Sequence, residues 1–219
     1  MWEGARELES YLLHSVPSFE GLRVLELGAG LGWLALRLAS LGAVVVATEQ
    51  AAMLSTLQLN IAKHEAAHHA GPQLRVKAAE LDWLEAEESR QAGRPPAVVA
   101  LTQEAGGWDL IVGADCVYLE EFFAPLLSTV GAAVRASAEL GAAGRVLLSA
   151  EHRTGAHVTH DRNAAAALFF GDPGGGLGGG GDGGSEALAA CGFRPARKVW
   201  ENERNEHGHR VAAYALELK

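Results

Sequence analysis

Only two cysteines, Cys116 and Cys191, occur in 219 residues, and they lie in unrelated contexts with no CxxC pair. That scarcity argues against a disulfide framework and a structural zinc site, and it predicts a reducing compartment, the cytoplasm or else the nucleus. Basic side chains are also sparse, 18 against 27 acidic ones, for a net charge of −9. Non-specific affinity for nucleic acid comes from Lys and Arg displacing counterions, so a nucleic-acid partner is not expected. No apolar run approaches the roughly 20 residues that cross a bilayer. The start, Met1-Trp2-Glu3, lacks the basic segment of a secretory signal. No membrane association is therefore expected.

What remains is apolar enough to bury a core, at 48% hydrophobic residues, and short enough for a single domain spanning 1–219. Apolar runs alternate with helix-period segments, the pattern of βαβ units. Strands are predicted at 22–27, 43–48, 74–78, 109–114 and 145–150, with helices between them. The stretch 85–107 blurs into charged and Pro-containing pieces and reads as an insertion. Ten glycines in the fourteen positions 171–184 would be costly to order and have almost no side chain to bury, which predicts a flexible loop. Two last strands, 193–200 and 210–218, flank the turn formers Asn205-Glu206-His207-Gly208. The expected fold is α/β, an open and mostly parallel sheet with helices on both faces and a C-terminal antiparallel hairpin. No heptad seam marks the helices, so a monomer is expected.

The first strand ends in Glu26-Leu27-Gly28-Ala29-Gly30-Leu31-Gly32 and opens a helix. Glycines at such a turn let the backbone approach a bound nucleoside. A dinucleotide fingerprint needs G-x-G-x-x-G. Here Trp33 occupies the last position counted from Gly28, and the third glycine falls one residue early at Gly32, so a pyrophosphate is disfavoured. Glu49 closes the second strand, where an acidic group accepts hydrogen bonds from ribose hydroxyls. The same glycines would also serve tight strand–helix packing alone.

Val24 to Gly32 resembles motif I of the seven-β-strand, Rossmann-like S-adenosyl-L-methionine-dependent methyltransferases. Trp2 in the first helix, Leu81-Asp82-Trp83 after the third strand, and Asp109 to Tyr118 around the fourth extend the likeness. Arg153 and Gly192-Phe193 carry it over nearly the whole chain outside the two insertions. The D-x-x-Y element, Asp115 and Tyr118, is similar to the hallmark of the methyltransferase-like protein lysine methyltransferases, whose members modify chaperones, translation factors and other proteins. Members usually carry a strand segment ahead of the tryptophan that Trp2 matches, and this chain starts almost on that residue.

The resemblance implies S-adenosyl-L-methionine as cofactor and a protein lysine as methyl acceptor. It places Glu26, Gly28, Gly30, Gly32, Glu49 and Ala114 against the cofactor. Asp82, or the backbone around it, and Trp83 would bracket the adenine, unless they are a helix cap and a core tryptophan. Trp2 either covers the cofactor or staples the first helix. Asp115 and Tyr118 are the catalytic candidates. Asp115 would orient the incoming amine and Tyr118 would line its channel, or else the pair caps and packs against the next helix. Neutralising lysine at pH 7 costs about 4–5 kcal/mol, offset by a nearby sulfonium and a dry channel. Methylation of a small molecule or nucleic acid, and a non-catalytic cofactor-binding module, are the alternatives. His64-Glu65-Ala66-Ala67-His68 matches the H-E-x-x-H zinc pattern, but the Gly71-Pro72 break denies it a helical scaffold, so no metal is expected.

Overall fold

The computed structural model describes residues 3–67, 73–152, 165–166, 169–170, 186–202 and 210–219. Trp2, His68, Arg153, the glycine-rich stretch 171–184 and the turn 205–208 lie outside the described residues. The order of elements is α1 (Glu3–Ser15), β1 (Arg23–Leu27), α2 (Trp33–Ser40), β2 (Val44–Glu49), α3 (Ala51–Ala67), β3 (Arg75–Glu80), α4 (Trp83–Gln91), α5 (Ala97–Ala105), β4 (Leu110–Ala114), a 3-10 turn (Glu120–Phe122), α6 (Phe123–Glu139), β5 (Arg145–His152), α7 (Glu186–Ala190), β6 (Arg197–Glu201) and β7 (Arg210–Leu216). No helix of the described residues is long and apolar enough to cross a membrane.

The seven strands form one sheet in the order β3-β2-β1-β4-β5-β7-β6. The first five are parallel, while β7 pairs antiparallel with both β5 and β6. The predicted hairpin is present, but its second strand inserts beside β5 and leaves β6 at the edge. Burial explains the order. Every residue of Val211–Leu216 is buried, whereas none of β6 is, so β7 takes the interior position.

Alternate strand residues feed two cores, because successive side chains point to opposite faces. Val24, Leu110, Val112 and Leu147 pack under α1, α2 and α3 with Leu8, Leu12, Leu34 and Leu57. Leu25, Ile111, Val146 and Leu148 pack on the other face with Val98, Trp108, Leu127 and Phe169. A parallel sheet covered on both faces requires such near-continuous apolar strands.

The 85–107 stretch is two helices, α4 and α5, stacked on α6. Glu85 links them, its carboxylate accepting hydrogen bonds from Ser89 Oγ and the Ala97 N–H. Trp108 is buried beneath them. Its Nε1–H donates to Thr102 Oγ1 at 2.8 Å, and its backbone N–H donates to Ser137 Oγ at 3.0 Å. Trp108→Phe keeps most of the buried ring and deletes one hydrogen bond. It is expected to cost about 1–2 kcal/mol, a fall in Tm of about 2–8 °C on a thermal melt.

Candidate active site

Chain connections leave β1 and β4 toward opposite sides of the sheet, which opens a crevice beyond their carboxyl ends, the usual ligand position in open α/β sheets. A cleft of about 650 Å³ occupies it. Small-molecule sites run from about 300 to 1,000 Å³.

The loop after β1 forms its floor. Gly28, Gly30 and Gly32 have φ of 63°, 57° and 83°, left-handed values that favour glycine. Their surroundings separate their roles. A Cβ on Gly28 would sit 3.2 Å from Cys116 Sγ and 3.3 Å from the Trp83 ring, and one on Gly32 would lie 2.6 Å from Leu57 Cδ1. One on Gly30 would meet no atom of the described residues within 4 Å. Gly30 therefore faces open space in the cleft, Gly28 makes room for two side chains of its wall, and Gly32 serves the junction with α2. Only the first two line the cleft.

The end of β2 holds this loop in place. The Ala29 N–H donates to Thr48 O at 2.9 Å, and the Gly30 N–H donates to Glu49 Oε1 at 2.9 Å. Glu49 Oε2 accepts the Gln50 N–H, and both Glu49 and Gln50 line the cleft. Leu81 and Trp83 form the wall after β3. Asp82 does not line it. Its Oδ1 accepts the Leu84 N–H at 3.0 Å and caps α4, the capping alternative considered for it.

Glu26 is the buried carboxyl of the cleft. It is 3% exposed, it accepts a backbone hydrogen bond from Ala35, and its Oε2 has no partner among the described residues. Burial, reinforced by the Glu49 charge and only partly opposed by the Ala35 N–H, pushes its pKa up to about 8. A buried acceptor with no donor, lining a cleft, suits a ligand that brings a cation or an N–H.

On the opposite rim, β4 delivers Ala114, Asp115, Cys116 and Tyr118. Asp115 neither caps the next helix nor packs as an ordinary loop residue. Its Oδ2 accepts the Gly4 N–H at 3.0 Å, and its Oδ1 accepts the Glu151 N–H at 2.9 Å. Tyr118 is half-buried, with its ring 5.9 Å from that of Phe122, and both line the cleft. Cys116 Sγ donates to Leu27 O at 3.2 Å, and burial pushes its pKa well up, so the thiol stays protonated.

The structure thus brings Glu26, Gly28, Gly30, Glu49, Trp83, Ala114, Asp115 and Tyr118 to one cleft and leaves Asp82 and Gly32 just behind it. Sequence reasoning passed over Trp33, Cys116, Phe122 and Glu151, which also line it. Trp33 and Cys116 adjoin flagged motifs, so adjacency was a usable signal. Glu151 had none, because only the pairing of β4 with β5 carries it to Asp115. Of the H-E-x-x-H pattern, His64 to Ala67 lie in the last turn of α3 and His68 is outside the described residues. No cluster of metal-ligating residues occurs among the described ones.

Four carboxylates, Glu26, Glu49, Asp115 and Glu151, line the cleft with no Lys, Arg or His among its described lining. Such a site repels pyrophosphate and attracts cations. A family model described as lysine methyltransferase matches residues 1–163. The chain belongs to this lysine methyltransferase family. It is 37% identical over 130 residues to the protein N-lysine methyltransferase METTL21A of Danio rerio, covering 59% of this chain and 52% of that protein. To EEF1A lysine methyltransferase 3 of Mus musculus it is 31% identical over 134 residues, covering 59% of this chain and 48% of that one. The chain spans about half the length of the relatives it matches. Among solved structures, magnesium protoporphyrin IX methyltransferase (ChlM) from Synechocystis PCC 6803 with bound SAH superposes with TM-score 0.54 at 17% identity, over 99% of this chain and 83% of that one. The N-terminal domain of EvdMO1 with SAH bound gives 0.54 at 16% identity, over 100% of this chain and 82% of that one. At such identities these two neighbours speak for the fold.

Proposed function

We propose that this lysine methyltransferase family member binds S-adenosylmethionine in the cleft and transfers its methyl group to a lysine side chain of a protein substrate. The carrying observation is a cleft with four carboxylates and no described cation, in which one buried carboxylate oxygen has no donor. When bound, the cofactor supplies an electrophilic methyl on a sulfonium. Glu49 is placed for ribose hydroxyls, Leu81 and Trp83 for an adenine wall, and Glu26 for the ammonium end. Gly30 leaves room for the nucleoside because no side chain of the described residues lies within 4 Å of where its Cβ would be.

The acceptor side is the rim of Asp115, Tyr118 and Glu151. The negative charge of Asp115 and Glu151 draws a lysine ammonium toward the cleft, and the Tyr118 and Phe122 rings line its path. Carboxylates also stabilise the charged amine, so their contribution is orientation, with deprotonation left to desolvation. The free thiols of Cys116 and Cys191 favour a reducing compartment, the cytoplasm or nucleus.

Incubating the chain with cell extract and methyl-labelled S-adenosylmethionine tests this reading. Acid hydrolysis of the protein fraction is expected to release labelled methyllysine. Label confined to nucleic acid or small molecules would assign a different acceptor, and binding without transfer would assign a non-catalytic module.

A further inference from the structure

The first turn of α1 is fastened to the sheet by a closed circuit of hydrogen bonds. The Gly4 N–H donates to Asp115 Oδ2 at 3.0 Å, and Ser149 Oγ donates back to Gly4 O at 2.8 Å. The Asp115 N–H donates to Ser149 O at 2.9 Å, and the Glu151 N–H donates to Asp115 Oδ1 at 2.9 Å. These partners are 111, 145 and 36 residues apart in sequence, so the circuit exists only in the folded sheet. Asp115 is the only non-glycine residue with positive φ, 54°, among the described ones. Strain of that kind persists only where the surroundings over-determine it. The contact is tight, since a Cβ on Gly4 would fall 2.5 Å from Asp115 Oδ2.

Two physical effects make the circuit hold. Helix N-termini leave backbone N–H groups unpaired and favour a carboxylate, which Asp115 supplies from another element. Ser149 is fully buried on β5, so its hydroxyl is committed to Gly4 and is inaccessible to any substrate. The next residue on α1, Ala5, lines the cleft beside Glu26 and the glycine loop. The position of that wall is therefore set by Asp115 and Ser149.

Resting on the reading of the cleft as the cofactor site, we propose that Asp115 and Ser149 are positioning residues that clamp the first turn of α1 as a wall of the cofactor pocket. Asp115 thereby acts on cofactor affinity in addition to its place on the acceptor rim, and Ser149 acts only through α1.

Calorimetric titration with S-adenosylhomocysteine, which requires no protein substrate, separates the possibilities. Ser149→Ala is expected to raise Kd about fivefold, the loss of one net hydrogen bond. Asp115→Ala is expected to raise it more, about 10- to 100-fold, and the double variant should match Asp115→Ala within about twofold because both act on the same turn. Ser137→Ala, which removes an equally buried hydroxyl bonded to the Trp108 N–H, serves as control. It should lower Tm comparably and leave Kd unchanged. The clamp is overturned if Ser149→Ala lowers Tm yet binds as tightly as the parent, or if the two substitutions add fully. Should Asp115→Ala fail to fold, the comparison of Ser149→Ala with Ser137→Ala still decides. A parent chain that binds no S-adenosylhomocysteine would instead bring down the cofactor reading itself.

Discussion

Glu26→Gln is expected to make the chain more stable at neutral pH and a poorer binder of its cofactor. The Glu26 carboxyl titrates near 8 in the fold against about 4.5 in an unfolded chain. The native state therefore holds a proton that the unfolded state has released, and stability falls as pH rises from about 4.5 to 8. Over that window the loss amounts to about 4–5 kcal/mol, of which about 3 kcal/mol is already gone at pH 7. Glutamine does not ionise, so the variant should melt about 6–12 °C above the parent at pH 7 and level with it near pH 4.

Binding should move the opposite way. A cation in the cleft favours the ionised carboxylate, so cofactor binding near pH 7 is expected to expel a proton. Parent affinity for S-adenosylhomocysteine should climb by up to tenfold per pH unit below 8 and flatten above it. In Glu26→Gln that dependence should vanish and Kd at pH 8 should rise about 10- to 100-fold, the worth of a charge-assisted hydrogen bond. Calorimetry in buffers of different ionisation enthalpy reads the released proton directly. Identical heats in all buffers would show that Glu26 does not exchange its proton for the ligand.

A second large contrast lies within the glycine loop. Gly32→Ala imposes a left-handed backbone on a residue with a Cβ and drives that Cβ to 2.6 Å from Leu57 Cδ1. Together these should cost about 2–4 kcal/mol of stability. Gly30→Ala carries the backbone penalty alone, about 1–2 kcal/mol, because its Cβ enters open space. That space is the proposed nucleoside position, so Gly30→Ala should weaken S-adenosylhomocysteine binding at least tenfold while melting above Gly32→Ala. Thermal melts and titrations of the two variants check this, and the reverse ranking in either assay would reassign the loop.

Legibility differed from element to element for physical reasons. Strands β1, β2 and β4 were readable because a parallel strand buried on both faces is apolar along most of its length, and the glycine loop because left-handed turns admit few other residues. The 85–107 stretch was not readable. Its helices carry short, discontinuous apolar faces that make sense only against α6, and Trp108 declares itself a core residue only once Thr102 and Ser137 satisfy its polar atoms. Asp82 looked the same in sequence whether it capped a helix or touched a ligand.

The amino-acid order by itself determined the alternating α/β pattern, the turn after β1 and the acidic end of β2, since each depends on local periodicity or backbone conformation, whereas the Asp115–Tyr118 pair was marked by its resemblance to a family motif. The tertiary structure alone decided that β7 lies inside β6, that Glu26 is buried with its pKa pushed up to about 8, and that Asp115 reaches across 111 residues to α1. Burial and long-range hydrogen bonding belong to the assembled sheet, and no local stretch of the chain encodes them separately.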